Sequence, residues 1–204
     1  MDAKGAESYL RDIHAIMERS VKHSTLSGLS GIVAGSAAII GAVVSDFVIQ
    51  LVPPHGPVWI YAHPSEAFLL VWLGVLLVAA SADVVFTKRK ARKIGKSFFD
   101  HPMRRVIVAL IPGFTCGLAI TIYFYRTDDV LMLPAYWMLF YGLALVSVSS
   151  ISLKELFFMG IAFVAAGIFT LFAADGLFPL LMMGVSFGGF HLVYGVYMWL
   201  RYGG

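Results

Sequence analysis

His191 is the residue best placed to do chemistry. It lies in the run Gly184-Val-Ser-Phe-Gly-Gly-Phe-His-Leu-Val-Tyr-Gly195, ten residues before Arg201. At 1.5 Å per helical residue, that is about 15 Å from the charged end of the segment. An ionisable side chain so deep in an apolar helix is a functional-site hypothesis by default. It could relay protons, hydrogen-bond a ligand, or ligate a metal or haem iron. A neutral imidazole bonded to a hydroxyl or carbonyl of a facing helix would satisfy the same position at far lower cost than a charged group. Ser186 and Tyr194 are the polar neighbours in this segment, so the candidate ligand or proton site is His191, Tyr194 and Ser186. A ligand cavity there would also draw on polar residues such as Thr115, Thr121 or Ser147.

The remaining chemistry-bearing residues form weaker patterns. His55, His63 and Glu66 combine imidazole and carboxylate, which suits a divalent cation. Their spacing closes no known motif, so they are weak metal candidates. The only cysteine, Cys116, excludes an intrachain disulfide and any cysteine cluster. The sequence carries no His-Glu-x-x-His, Gly-x-Ser-x-Gly or phosphate-loop signature. No cofactor and no enzymatic activity are expected from it.

The elements that must position these residues follow from hydropathy. Of 204 residues, 59% are hydrophobic and 13% charged, and mean hydropathy is +0.84. A soluble domain carries roughly a quarter charged residues, so the deficit here points to the bilayer. Six apolar runs cover about 27–51, 65–87, 104–124, 130–150, 155–174 and 177–200. Each is long enough to cross roughly 30 Å of hydrocarbon as a helix. The chain is expected to be all-α: a polytopic bundle of six transmembrane helices over 26–204, preceded by an amphipathic interfacial helix over 1–25. In that first segment Leu10, Ile13, Met17 and Val21 recur at helical spacing, with Glu7, Arg11, His14, Glu18 and Lys22 on another face.

Charge sets the orientation. With the N-terminus inside, fourteen of the fifteen lysines and arginines fall on the cytoplasmic side, and only Arg126 falls outside. Short-loop Lys/Arg bias governs insertion, so both termini are expected in the cytoplasm. The basic segment Lys88, Arg89, Lys90, Arg92, Lys93 is what this orientation demands, and it could also bind anionic lipid headgroups. A net charge of +3 gives no reason to expect nucleic acid as a partner. Trp59, Tyr61, Trp72, Tyr136 and Trp137 read as an aromatic belt at the outer interface.

Small residues at four-residue spacing mark close helix contacts. Gly31 and Gly35 lie in the first run, Gly113 and Gly117 in the third, and Gly184, Gly188 and Gly195 in the sixth. Such seams bring helix backbones together in lipid, within one bundle or across a homodimer.

Two segments also resemble a known group. Tyr9-Leu-Arg-Asp-Ile, Met17-Glu-Arg-Ser and Leu26-Ser-Gly-Leu-Ser-Gly-Ile-Val-Ala-Gly35, within Tyr9–Ala42, resemble the opening of a family of small bacterial multi-pass membrane proteins of unassigned function. Gly189-Phe-His-Leu-Val-Tyr-Gly195 is similar to the end of the same family. The resemblance covers about a quarter of the chain. It implies the bacterial inner membrane and nothing about activity.

Three functions remain open on the residues alone. First is a non-enzymatic accessory, scaffold or signalling protein, with a protein partner engaged through the N-terminal helix. Second is a small-molecule or lipid binding or transport protein with a mid-membrane site around His191. Third is a haem or redox role with His191 as single axial ligand.

Overall fold

A hydrocarbon environment offers no water to a peptide group, so a spanning segment must satisfy its backbone internally as a helix. A computed structural model of the chain describes residues 27–51, 64–93, 95, 101–127, 129–173, 176 and 178–202. Among these residues there are helices and turns and no strand. Helix α1 covers Gly28–Asp46 and continues as a π-helical turn, Phe47–Leu51. Helix α2 is Pro64–Lys93 and α3 is His101–Arg126. A 3-10 turn, Val130–Met132, leads into α4, Leu133–Ser149, and α5 is Lys154–Ala173. Helix α6 is composite: Phe178–Met183 is α-helical, Gly184–Phe190 is π-helical, and His191–Tyr202 is α-helical again.

All six helices are long and apolar enough to cross a membrane. This is the expected all-α, six-helix architecture of a multi-pass membrane protein. The expected amphipathic helix over 1–25 lies outside the described residues.

The helices differ from the apolar runs at their ends. Helix α2 continues past the expected limit at 87, through the basic cluster to Lys93, so Lys90, Arg92 and Lys93 occupy its last turn. Cations there complement the negative end of the helix dipole, and their long stems can lie along apolar surface. Helix α3 begins at His101 rather than 104. Its Pro102 falls in the first turn, where a missing N–H costs nothing. Gly176, with φ +51°, supplies the left-handed residue that turns α5 into α6.

Glycine decides how closely the helices pack. A Cβ on Gly31 would meet the Cα of Gly195 at 3.0 Å, and one on Gly35 would meet the Gly188 carbonyl at 2.7 Å. The small-residue seams of α1 and α6 therefore face each other within one chain. Helices α4 and α5 make a reciprocal crossing: a Cβ on Gly142 would meet the Gly160 carbonyl at 2.7 Å, and one on Gly160 the Gly142 carbonyl at 2.8 Å. A Cβ on Gly113 would meet the Phe140 carbonyl at 2.8 Å, and one on Gly117 the Trp137 indole at 2.8 Å, so α3 docks closely on α4. Gly184 is looser, since a Cβ there would meet only the Ala42 methyl, at 3.0 Å.

Two apolar clusters fill the interior. One gathers Met138, Leu145, Val148, Leu156, Met159, Phe163 and Ala166 from α4 and α5, with Tyr141, Phe187, Phe190 and Tyr194 packed against it. The other joins Phe68 of α2 to Val130, Leu133, Leu180 and Met183. Large apolar side chains also point outward, with Phe172 at 89% and Leu200 at 75% exposure. Such a surface suits lipid, since hydrocarbon tails are as apolar as leucine.

Candidate functional site

His191 opens the last α-helical part of α6, directly after the π-helical stretch. Its Nε2 lies 2.8 Å from the hydroxyl of Tyr141 on α4. The other ring nitrogen, Nδ1, is buried and makes no hydrogen bond. Which of Tyr141 and Nε2 donates follows from the imidazole tautomer. One ring nitrogen is thus engaged by a protein group and the other is not.

Aromatic rings enclose the imidazole. Phe187 stacks on it at 6.2 Å with planes 11° apart, and Phe163 meets it edge-on at 5.6 Å. Tyr141 itself packs against Phe163 at 4.9 Å and Phe187 at 5.2 Å. The site is a half-buried hydrogen-bonded pair flanked by the rings of Phe163 from α5 and Phe187 from α6.

Of the three residues expected to form a site, the structure places them as follows. Ser186 is fully buried, but its hydroxyl donates to the Met183 carbonyl at 3.3 Å, within its own helix. A serine that back-bonds three residues earlier has no hydroxyl proton left for a facing ligand. Tyr194 packs against the α4–α5 cluster beside His191. The direct partner is Tyr141, which sequence reasoning missed. Its signal was present: Tyr141 is the one hydroxyl near the middle of the Leu139–Val146 run. Pairing it with His191 requires knowing that α4 packs on α6.

The other polar residues of the expected cavity are engaged locally. Thr121 donates to the Gly117 carbonyl at 2.8 Å and accepts the Trp137 indole N–H at 3.0 Å. Ser147 is exposed and donates to the Leu143 carbonyl at 3.0 Å, and Thr115 is exposed. Of the aromatic residues expected at the outer interface, Trp59 and Tyr61 lie outside the described residues, and Trp137 and Trp72 pack against neighbouring helices. Trp137 wedges between α3 and α4, and Trp72 packs on Phe68 and Phe187 at 6.3 Å each. Their rings fill gaps that glycine and small residues leave in the helix contacts.

A second polar group was also missed, around Asp83 on α2. Thr87 donates to its carboxylate at 3.4 Å, and Ser30 of α1 lies against the same carboxylate. The Ser30 hydroxyl also donates to the Ser27 carbonyl at 2.7 Å. Asp83 falls five residues before Lys88, so by sequence it belongs to a helix end. The extension of α2 to Lys93 instead puts it within the helix body.

The basic cluster forms the end of α2. Lys88 and Arg92 point outward, while Arg89 lies over the Phe86 ring at 5.9 Å. Arg89, Lys90 and Lys93, with Phe86 of the same helix and Ser27 and Leu29 from the α1 side, line a cavity of about 260 Å³. For the metal candidates, Glu66 accepts a hydrogen bond from Tyr125 at 3.4 Å, tying α2 to α3. His55 and His63 lie outside the described residues, among which no group of three metal-binding side chains occurs.

Comparison of the chain with protein-family models, with curated proteins and with solved structures finds no match.

Proposed function

We propose that this protein is a non-enzymatic integral membrane protein of a bacterial inner membrane, with both termini cytoplasmic, acting as an accessory, scaffold or signalling partner. One observation carries the reading. The mid-membrane histidine is bonded to Tyr141 and packed against the rings of Phe163 and Phe187, so the deepest ionisable group in α6 serves packing between helices. The small-residue seams are likewise spent inside the chain, between α1 and α6 and between α3 and α4. What remains for a partner is the basic end of the bundle and the N-terminal segment 1–25, which lies outside the described residues.

Orientation is testable through Cys116. In a Cys116→Ala background, Asp129→Cys should react with an impermeant maleimide on intact cells, and Lys154→Cys only after permeabilisation. The opposite pattern refutes the orientation. Partner binding is tested by crosslinking and recovery of the full chain from native membranes. Removing residues 1–22 should abolish that recovery while the bundle still inserts, and unchanged recovery would count against the reading.

A second reading keeps a mid-membrane small-molecule, lipid or proton site at His191. Its support is the π-helical stretch Gly184–Phe190, since such segments often accompany functional sites. A haem or redox role is a further form of this reading, and it requires His191 to release Tyr141. An absorbance spectrum of protein purified from native membranes, lacking a Soret band, disposes of that form.

A further inference from the structure

We propose that the cavity between the start of α1 and the end of α2 is a binding site for the phosphate headgroup of an anionic phospholipid. It rests on the membrane insertion read above, not on which end is cytoplasmic. Three cations come from one stretch of helix: Arg89 and Lys93 are four residues apart, and Lys90 and Lys93 three apart, so all three converge on one side of α2. Ser27 faces them across the cavity, 5% exposed and in extended conformation at the head of α1, with its hydroxyl making no capping bond. A phosphate seated there would meet ammonium and guanidinium donors from one side and a hydroxyl from the other, the charge-assisted geometry that binds phosphate most strongly.

The cavity is also layered as a lipid is. Arg89, Lys90 and Lys93 form the polar rim, while Phe86, three residues before Arg89, and Leu29, two residues after Ser27, form its apolar lining. Phe86 is the last large apolar residue of α2, and Lys88 begins its basic part, with Asp83 three residues before Phe86. The rim therefore lies where the hydrocarbon gives way to headgroups. The Arg89–Phe86 cation–π contact holds the guanidinium over this boundary rather than out in water. A soluble phosphate would use the rim but has nothing to place against Phe86 and Leu29. A phospholipid uses both.

The test uses the full chain purified in a zwitterionic detergent, with thermal unfolding followed as lipid is added. Dioleoyl phosphatidylglycerol should raise the unfolding temperature saturably, and dioleoyl phosphatidylcholine should not. Arg89 and Lys93 are exposed, so Arg89→Gln/Lys93→Gln should fold, and phosphatidylglycerol should bind it roughly tenfold or more weakly, given the contribution of each surface cation. Arg104→Gln/Arg105→Gln removes equal charge outside the cavity and should bind as the parent does. Ser27→Val, which adds bulk without changing charge, should also weaken binding, and it serves if the charge variant fails to fold. Equal losses in both charge variants, or no loss in either, would overturn the proposal. A shift reproduced in full by inorganic phosphate or glycerol 3-phosphate would overturn the lipid assignment. So would a shift that appears only after residues 1–22 are removed, since the chain's own amino terminus would then fill the cavity. Failure of the topology or partner experiments leaves these results untouched.

Discussion

The hydroxyl of Tyr141 and Nε2 of His191, 50 residues apart in the chain, meet at 2.8 Å and join α4 to α6 deep in the bundle. Phe163 contributes from α5 to the same contact, with its ring 4.9 Å from Tyr141 and 5.6 Å from His191. Three helices thus converge on one hydrogen bond, where each partner alone would be a polar group buried among aromatic rings.

A double-mutant cycle measures that bond. Tyr141→Phe and His191→Phe should each destabilise the protein, and their coupling should be about 0.6–1.7 kcal/mol, the range found for hydrogen bonds between membrane helices. Reversible unfolding in mixed micelles reads it. Strictly additive effects would mean that the two side chains do not act as a pair.

The α1–α6 contact makes a sharper contrast. Any side chain at Gly195 would run into the Ile32 backbone nitrogen at 2.5 Å and the Gly28 carbonyl at 2.7 Å, whereas Gly74 on α2 has nothing within 4 Å. Gly195→Val should lower the unfolding temperature strongly, with a cost of about 2 kcal/mol or more from overpacking and helix separation. Gly74→Ala should leave stability unchanged or slightly higher, because alanine favours the helix. Comparable losses for both would contradict the packing described.

The α4–α5 crossing is expected to fail once rather than twice. Gly142 and Gly160 each block the other's carbonyl, with Val164 and Val146 beside them in matching positions. Gly142→Ala and Gly160→Ala should each open the hairpin. The double variant should then lose less than the sum of the two, since contacting residues do not behave additively. Circular dichroism melts of the three variants suffice to check it.

Trp137 and Thr121 tie α3 to α4 through an indole N–H bonded to the threonine hydroxyl at 3.0 Å. Thr121→Val keeps the shape and removes the acceptor, and should cost about 1 kcal/mol by leaving the indole N–H unmatched. The same variant should shift Trp137 fluorescence. An unshifted spectrum would place the ring in the interfacial belt suggested by its position in the sequence.

Hydropathy alone determined the all-α class and the number of spanning helices, because an apolar run of about 20 residues has one way to satisfy its backbone in lipid. The spacing of Gly31, Gly35, Gly188 and Gly195 likewise marked surfaces of close approach, and the depth of His191 follows from counting back from Arg201. Tertiary structure decided which surfaces meet. Lipid-facing and helix-facing residues in this chain are both largely apolar, so hydropathy separates them poorly, and the order of neighbours around the bundle leaves no trace in it. That order turned two glycine seams toward each other, drew Trp72 and Trp137 inward, and brought Tyr141 rather than Ser186 to His191. It also placed Ser27 of α1 opposite Arg89, Lys90 and Lys93 of α2, which makes a cavity of residues that orientation by itself would require only to be basic.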